Sequence, residues 1–95
     1  MNACIAPLEI MRLCVRGIDC ASQFAEKGSR LALSDAGCAA ILCKAALQAA
    51  SLNVFINTGA LRDRTAADGL NARANGYLAA CETADAVFAQ VRAAL

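Results

Sequence analysis

One apolar stretch, SDAGCAAILCKAALQAASLNVFIN (residues 34–57), constrains the fold of this chain more than any other part of the sequence. It is long enough to span a bilayer, but a helix that is apolar nearly all round also suits the centre of a bundle. Lys44, near the middle, would cost about 2.5–3.5 kcal/mol at the centre of a membrane helix. The alanines of the stretch add little hydrophobicity to offset that cost. We therefore predict a core helix of a soluble protein and no membrane span.

The composition indicates how such a helix could be covered. The chain has 95 residues, of which 59% are apolar but only 4% are aromatic. This length predicts one small domain. Much of its apolar content is alanine, which buries little area, and few polar residues remain to cover the surface. We expect the chain to hide apolar surface in a homodimer or a higher homo-oligomer.

Charge and the first residues argue against other classes of protein. Nine basic and eight acidic residues give a net charge of +1 and are spread along the chain. The basic patch of a nucleic-acid-binding protein is therefore missing. The opening residues, MNACIAPLEI, lack a positive region followed by a long apolar run, so we predict no signal peptide and a cytoplasmic location.

The six cysteines do not form a recognisable site in the sequence. There is no C-x-x-C pair and no histidine, and the spacings do not match those of zinc ligands. We predict reduced thiols that pack as small apolar residues, and no metal site. Metal or redox chemistry is the alternative.

The apolar periodicity predicts an all-α fold, a three-helix antiparallel bundle that oligomerisation completes. The first helix is predicted over residues 7–27, with Pro7 in its first turn and Gly28 as its C-cap. Two adjoining apolar rows should make a wide buried stripe on it. One row contains Leu8, Met11, Val15, Ile18 and Ala25, and the other contains Ile10, Leu13, Gly17 and Phe24.

The second and third helices follow from similar signals. The second is predicted from the N-cap Ser34 to about residue 57, with Asp35 in its first turn and Thr58-Gly59 as its stop. The third follows a short connection at residues 61–63. Its apolar residues keep a 3-4 spacing typical of left-handed helix packing, and they include Tyr77 and Phe88, which we predict to be core residues.

Helical geometry places the polar residues of the second helix relative to one another. Asp35 and Asn53 are separated by about five whole turns, so they project in the same direction, and Asn57 lies about 40° further round. Lys44 projects the opposite way. Asp35, Asn53 and Asn57 lie on one row of the helix, with Asp35 at one end and the two asparagines at the other. Asp35 and Asn53 are about 27 Å apart at 1.5 Å per residue, so they cannot meet within one chain. Either Asp35 serves the helix start and the asparagines bond the next loop, or an antiparallel partner helix brings them together.

Four segments of the sequence, in order, resemble one known family. They are PLEIMRLC (residues 7–14), FAEKG (24–28), SDAGCAA (34–40) and AALQAASLNVFIN (45–57). These segments resemble the C-terminal domain of the formiminotransferase-cyclodeaminase family, which also includes methenyltetrahydrofolate cyclohydrolases. The resemblance covers about residues 5–63 closely and the third helix only by its general character.

The resemblance implies an all-helical, dimeric protein of folate one-carbon metabolism. Cyclodeaminases close formimino-tetrahydrofolate to methenyl-tetrahydrofolate with loss of ammonia, and cyclohydrolases interconvert methenyl- and formyl-tetrahydrofolate. The position that matches the family's S-D-x-G segment is Asp35, which is implied as the catalytic carboxylate. Those that match N-V-x-I-N are Asn53 and Asn57, which are implied to bind a tetrahydrofolate derivative.

The chain also departs from the family pattern. The family domain has an N-terminal half with a P-x-P-G-G-G-S type segment that nothing in this sequence matches, so residues 1–95 resemble a C-terminal half. One hypothesis is a folate-site protein, rebuilt by self-association or by a chain that supplies the missing half. The other is a non-catalytic helical module for self-association or partner binding. Whether the chain is an enzyme stays open in the sequence.

Overall fold

The computed structural model describes residues 3–28 and 30–95, and the regular structure in these residues is entirely helical. The helices are α1 (Ile5–Lys27), α2 (Arg30–Gly59), α3 (Arg64–Leu78) and α4 (Ala80–Ala94). α1 packs along α2, and α4 packs on both of them. The prediction of an all-α bundle-like fold is confirmed.

Helix α1 buries one side only. It begins at Ile5, so Pro7 occupies a first-turn position, where a backbone N–H would have no partner inside the helix. The predicted row with Leu8, Met11 and Ile18 is buried. The second row is a wrong prediction, because most of its members do not face another helix of this chain and stay exposed: Ile10, Leu13 and Phe24.

The end of α1 requires a residue without a side chain. The Gly28 N–H donates to the Phe24 carbonyl oxygen at 2.7 Å. A Cβ built on Gly28 would lie 2.4 Å from that same oxygen, which is part of the backbone and has little room to move. Gly28 is thus the C-cap, as predicted, but it has an extended conformation and is selected by space rather than by a left-handed φ.

A pair of glycine substitutions tests this interpretation. Gly28→Ala should lower the free energy of unfolding by about 1–3 kcal/mol, because the added methyl group overlaps the Phe24 carbonyl. Gly69→Ala should raise it by about 0.5–1 kcal/mol, because Gly69 lies within α3 and a Cβ there meets nothing within 4 Å. Urea denaturation measures both changes. Shifts of the same sign would contradict the interpretation.

Helix α2 begins earlier than its sequence signals indicate. It starts at Arg30, so Ser34 is not its N-cap and Asp35 is not in its first turn. Both residues lie inside the helix and are exposed. The preceding residues, RLAL at 30–33, are strong helix formers that extend the helix toward its N-terminus. At about 1.5 Å per residue the helix is about 45 Å long, which accounts for most of the 51 Å long dimension of the molecule.

Helix α2 is covered on one side and bare on the other. Leu47 and Val54 are completely buried. On the opposite side the side chains of Leu42, Leu52 and Ile56 are 69%, 69% and 73% exposed. One copy of the chain therefore leaves this side of α2 uncovered, and oligomerisation as its cover stays a prediction. We call this bare side, with its exposed residues Cys38, Leu42, Ala45, Ala49, Leu52 and Ile56, the open face of α2.

One helical segment in the described residues, Ala32–Gly59, is long and apolar enough to cross a membrane by length and composition. That is weak evidence for a span, because the core helix of a soluble protein meets the same criteria. Lys44 lies in the middle of the segment and makes an ion pair with a residue of α4, which favours packing against protein over insertion into lipid.

The predicted third helix is interrupted at Ala79, which divides it into α3 and α4. Ala79 keeps helical angles (φ −58°, ψ −26°). Its carbonyl accepts a hydrogen bond from the Glu82 N–H, three residues ahead, at 3.2 Å. Tyr77 is half-buried against the core, as predicted in outline. Phe88 is 46% exposed, so its prediction as a core residue is wrong: it lies at the edge of the contact between α4 and α2.

The turn between α2 and α3 is held by two side chains. The Asp63 carboxylate accepts a hydrogen bond from the Ala66 N–H at 3.1 Å and so caps α3. The Arg64 guanidinium donates to the carbonyls of Thr58 and Leu61, both at 2.9 Å. These carbonyls lie at and beyond the C-terminal end of α2, where a cation is stabilising. The turn thereby fixes the direction in which α3 leaves α2.

Candidate functional site

The three predicted site residues all lie on α2. Asp35 is more than one turn inside the helix and is exposed. Within the described part of the chain, no hydrogen bond or ion pair engages its carboxylate. The interpretation that Asp35 serves the helix start is wrong, because α2 begins at Arg30. The carboxylate is therefore available to a ligand or to another chain.

The two asparagines lie near the other end of α2. Asn53 is exposed and Asn57 is half-buried. The Asn57 side-chain nitrogen donates to the Asn53 carbonyl at 2.8 Å and, at 3.4 Å, to the carbonyl of Ala3 ahead of α1. The expectation that the asparagines bond the following loop is wrong, because Asn57 bonds within α2 and toward the start of the chain instead.

One copy of the chain does not bring these residues together. Helix α2 is continuous from Arg30 to Gly59, so Asp35 and Asn53 are about 27 Å apart along its axis and point in the same direction. They border the open face of α2 at its two ends. A site that uses both therefore needs a second helix alongside α2.

Lys44 points away from that row. Its ammonium donates to the Asp85 carboxylate at 2.7 Å, which joins α2 to α4. The hydrogen bond to Asp85 raises the pKa of Lys44. The interpretation of Lys44 as an inter-helix charge is confirmed, and the residue has a structural role on the covered side of α2.

Two grooves flank the N-terminal half of α2. The larger, about 480 Å³, lies between α2 and α4, and its lining includes Leu42, Phe88 and Val91. None of the three predicted site residues lines it. The smaller, about 390 Å³, lies between α1 and α2 and contains Asp35 at its edge. We call it the Asp35 slot; its lining residues are Gly17, Cys20, Ala21, Phe24, Ala32, Asp35, Ala36 and Ala39.

None of the six cysteines, all of which lie in the described residues, forms a disulfide, and their surroundings differ. Cys4 is buried, and burial raises the pKa of Cys14 on α1 and of Cys81 on α4. Cys20 and Cys38 are exposed, so the prediction that the cysteines are buried holds only in part. Across residues 3–28 and 30–95, no three His, Cys, Asp or Glu side chains are grouped so that they could hold a metal ion.

These surroundings predict an order of thiol reactivity. Brief treatment of the folded protein with iodoacetamide should alkylate Cys20 first, because it is exposed and lies on α1, off the open face of α2. Cys14 and Cys81 should react more slowly, because burial limits access and their raised pKa leaves less thiolate at a given pH. Peptide mass spectrometry after quenching measures the order. Equal rates in the native protein and in urea would contradict the packing described here.

The candidate site consists of the Asp35 carboxylate and two uncovered surfaces beside it, the open face of α2 and the Asp35 slot. The Asp35 carboxylate can accept or return a proton, but in one copy of the chain it lies open to water. The spacing of α1 predicts that Phe24 belongs to a buried row, whereas the structure places it at the Asp35 slot. Spacing does not distinguish a row that faces the core from one that borders a groove, so the slot could not be predicted from the sequence.

Comparison with known proteins agrees with the sequence segments. A family model described as formiminotransferase-cyclodeaminase matches residues 1–76. A methenyltetrahydrofolate cyclohydrolase of Methylorubrum extorquens is 41% identical over 73 residues. The matched part is 77% of this chain and 35% of that relative, so the chain spans about a third of the relative's length.

Proposed function

Because this chain belongs to the formiminotransferase-cyclodeaminase family, we propose that it binds and converts a tetrahydrofolate derivative at a site shared by two copies of the chain. The observation that carries this proposal is the position of Asp35. Its carboxylate borders an uncovered apolar helix face and has no partner in the described part of its own protomer. The similarity to a cyclohydrolase supports the reaction class.

A two-fold antiparallel pairing of two α2 helices would bring Asp35 and Asn53, which lie at opposite ends of α2, next to each other across the dimer. Residues 35 and 53 are equally far from residue 44 along the helix. A two-fold axis at that level, with the helices antiparallel, places Asp35 of one protomer opposite the partner's Asn53. Both residues point to the same side of α2, so they meet at the same edge of the pairing. The symmetry produces two such sites.

The open face of α2 suits this pairing. Leu42, Leu52 and Ile56 are each more than two-thirds exposed. Removing apolar surface from water is favourable by about 25 cal/mol per Å², and only the part that exceeds the entropic cost of association stabilises a dimer. Ala45 and Ala49 lie among them and are small, which allows the two helix axes to approach closely. The pairing would remove from water the apolar surface that one copy leaves uncovered.

The chemistry proposed for the shared site needs few groups. In the cyclohydrolase reaction, Asp35 would take a proton from the water as its oxygen bonds to the methenyl carbon. One carbon–nitrogen bond of the bridge would then break as its nitrogen takes up that proton, and the new hydroxyl would lose its own proton to water and leave a formyl group. In the cyclodeaminase reaction, Asp35 would take the proton of the ring nitrogen that bonds to the carbon of the protonated formimino group and pass it to the formimino nitrogen, whose bond to that carbon breaks as ammonia leaves. The amides of Asn53 and Asn57 would hydrogen-bond the polar edges of the ring and hold the one-carbon unit near the carboxylate. The proposal involves no metal.

A chain that supplies the remainder of the family domain is a second way to cover the same surfaces. The alternative function is a helical module that associates with itself or with a partner without catalysis. The exposed side chains of the open face favour association in either case. Only the proposed function also requires a folate ligand beside Asp35, so ligand binding separates the two.

A charge placed on the open face tests the proposal. Ala49 is exposed, so Ala49→Arg should leave the protomer folded, but it should convert the dimer to a monomer and abolish binding of 5-formyl- and methenyl-tetrahydrofolate. Light scattering gives the oligomeric state and titration calorimetry gives the affinity. The matched control is Ala72→Arg on the exposed side of α3, which should change neither.

Two results would overturn the proposal. A well-folded wild-type protein that binds neither ligand at millimolar concentration would favour the non-catalytic module. A monomeric Ala49→Arg variant that binds both ligands with wild-type affinity would show that the site needs only one chain.

A further inference from the structure

The Asp35 slot has the composition of a site for a flat ring. Ala21 and Ala36 are buried at its floor, and α1 and α2 approach so closely beside it that a Cβ on Gly17 would lie 2.7 Å from the Cys43 Sγ. The floor therefore consists of small side chains and backbone, with no branched residue projecting from it. Such a floor can be covered by a planar group with little loss of contact.

One wall of the slot is aromatic and its edge is charged. Phe24 contributes the wall and is 62% exposed, so its ring is accessible to a ligand in the slot. Asp35 contributes a carboxylate with no partner in the described part of the chain. An aromatic face beside an anionic edge attracts a flat ring that carries positive charge.

We infer that the Asp35 slot seats the bicyclic ring of the folate ligand, stacked on Phe24, with its one-carbon edge toward Asp35. This inference rests on the proposed function and adds that the protomer that supplies Asp35 also holds the ring, between its own α1 and α2. The volume of about 390 Å³ lies at the lower end of ligand pockets, which are about 300–1,000 Å³. It is therefore suited to the ring and not to the whole ligand.

The charge of the ligand agrees with this orientation. A methenyl bridge between two nitrogens is cationic, whereas the opened formyl form is neutral at that position. Asp35 at the ring's reacting edge would favour the cation, and it would lie where the attacking water must lose a proton. The partner's Asn53 would approach from the open face, beyond the edge of the slot. Phe24 is thus a positioning residue that determines ring specificity.

The test is the affinity of three variants for methenyl-tetrahydrofolate and for 6-hydroxymethylpterin, a probe with the ring but without the glutamate tail. Phe24→Ala should weaken binding of both by about tenfold or more, since stacking and apolar burial together are worth at least about 1.4 kcal/mol. Phe24→Tyr should retain the wild-type affinity. The control Phe88→Ala removes an exposed aromatic residue from the larger groove and should have no effect.

The outcomes distinguish this inference from the proposed function. Wild-type binding that Phe24→Ala leaves unchanged would overturn the ring site and leave the folate function standing. Loss of binding that accompanies dissociation of the dimer, followed by light scattering, would also overturn it, because Phe24 would then be a subunit contact. No binding by the wild-type protein would overturn both. Loss of affinity in an intact dimer, restored by tyrosine, supports the ring site.

Discussion

Leu47→Ala should lower the free energy of unfolding by about 2–5 kcal/mol, the range for removing a large aliphatic side chain from a packed core. Leu47 is completely buried on the covered side of α2. Much of the surrounding core is alanine, which cannot extend into the cavity that the substitution would leave. A small domain has a total stability of about 5–15 kcal/mol, so this single change removes a large part of it.

Leu52→Ala is the matched control for that experiment. It is the same substitution in the same helix, five residues away, but Leu52 is 69% exposed in one copy of the chain. Urea denaturation at low protein concentration should show a change within about 0.5 kcal/mol for Leu52→Ala. At high concentration the variant should instead weaken association, because Leu52 lies on the open face. Equal losses of stability from both variants under dilute conditions would contradict the described burial.

Under the proposed function, Asp35→Asn should reduce turnover of methenyl-tetrahydrofolate by about 10²–10⁴-fold, the usual contribution of a positioned general acid or base. The amide has nearly the same shape as the carboxylate but cannot accept a proton from water. The Asp35 side chain is exposed and makes no bond within the described residues. The substitution should therefore change the free energy of unfolding by less than about 0.5 kcal/mol.

The measurement is the loss of methenyl absorbance with time, with circular dichroism to confirm the fold. Asp68→Asn, an exposed carboxylate on α3, is the control and should retain full activity. An Asp35→Asn variant as active as the control would show that Asp35 is not the catalytic carboxylate. In that case the resemblance would supply the family but not the residue that acts.

Much of the fold could be predicted from the sequence, because helices have a regular period. The buried row of α1 and the direction of Lys44 both follow from counting turns, and the structure confirms them. The start of α2 could not be predicted, because Ser34 and Asp35 are good N-terminal residues that here lie within a helix. Capping signals give a preference of about 1 kcal/mol, which strong helix formers ahead of them can outweigh.

The exposure of several apolar residues also could not be predicted, and the reason is the same for all of them. Ile10, Leu13 and Phe24 of α1 are apolar and correctly spaced, and periodicity indicates only that such a row must be covered. It does not indicate whether the cover is a helix of the same chain, a second copy or a ligand. The sequence could predict that Asp35 and Asn53 share a direction, whereas the slot beside Asp35 depends on how closely α1 approaches α2.

The measurement that tests the shared site most directly is complementation between two defective variants. Asp35→Asn and Asn53→Ala each damage both sites of their own dimer. When subunits of the two variants are mixed and exchanged, each mixed dimer has one site with both native residues and one with neither. Random exchange should restore about a quarter of the wild-type activity. Activity that stays at the level of the separate variants, although native mass spectrometry shows mixed dimers, would contradict the shared site.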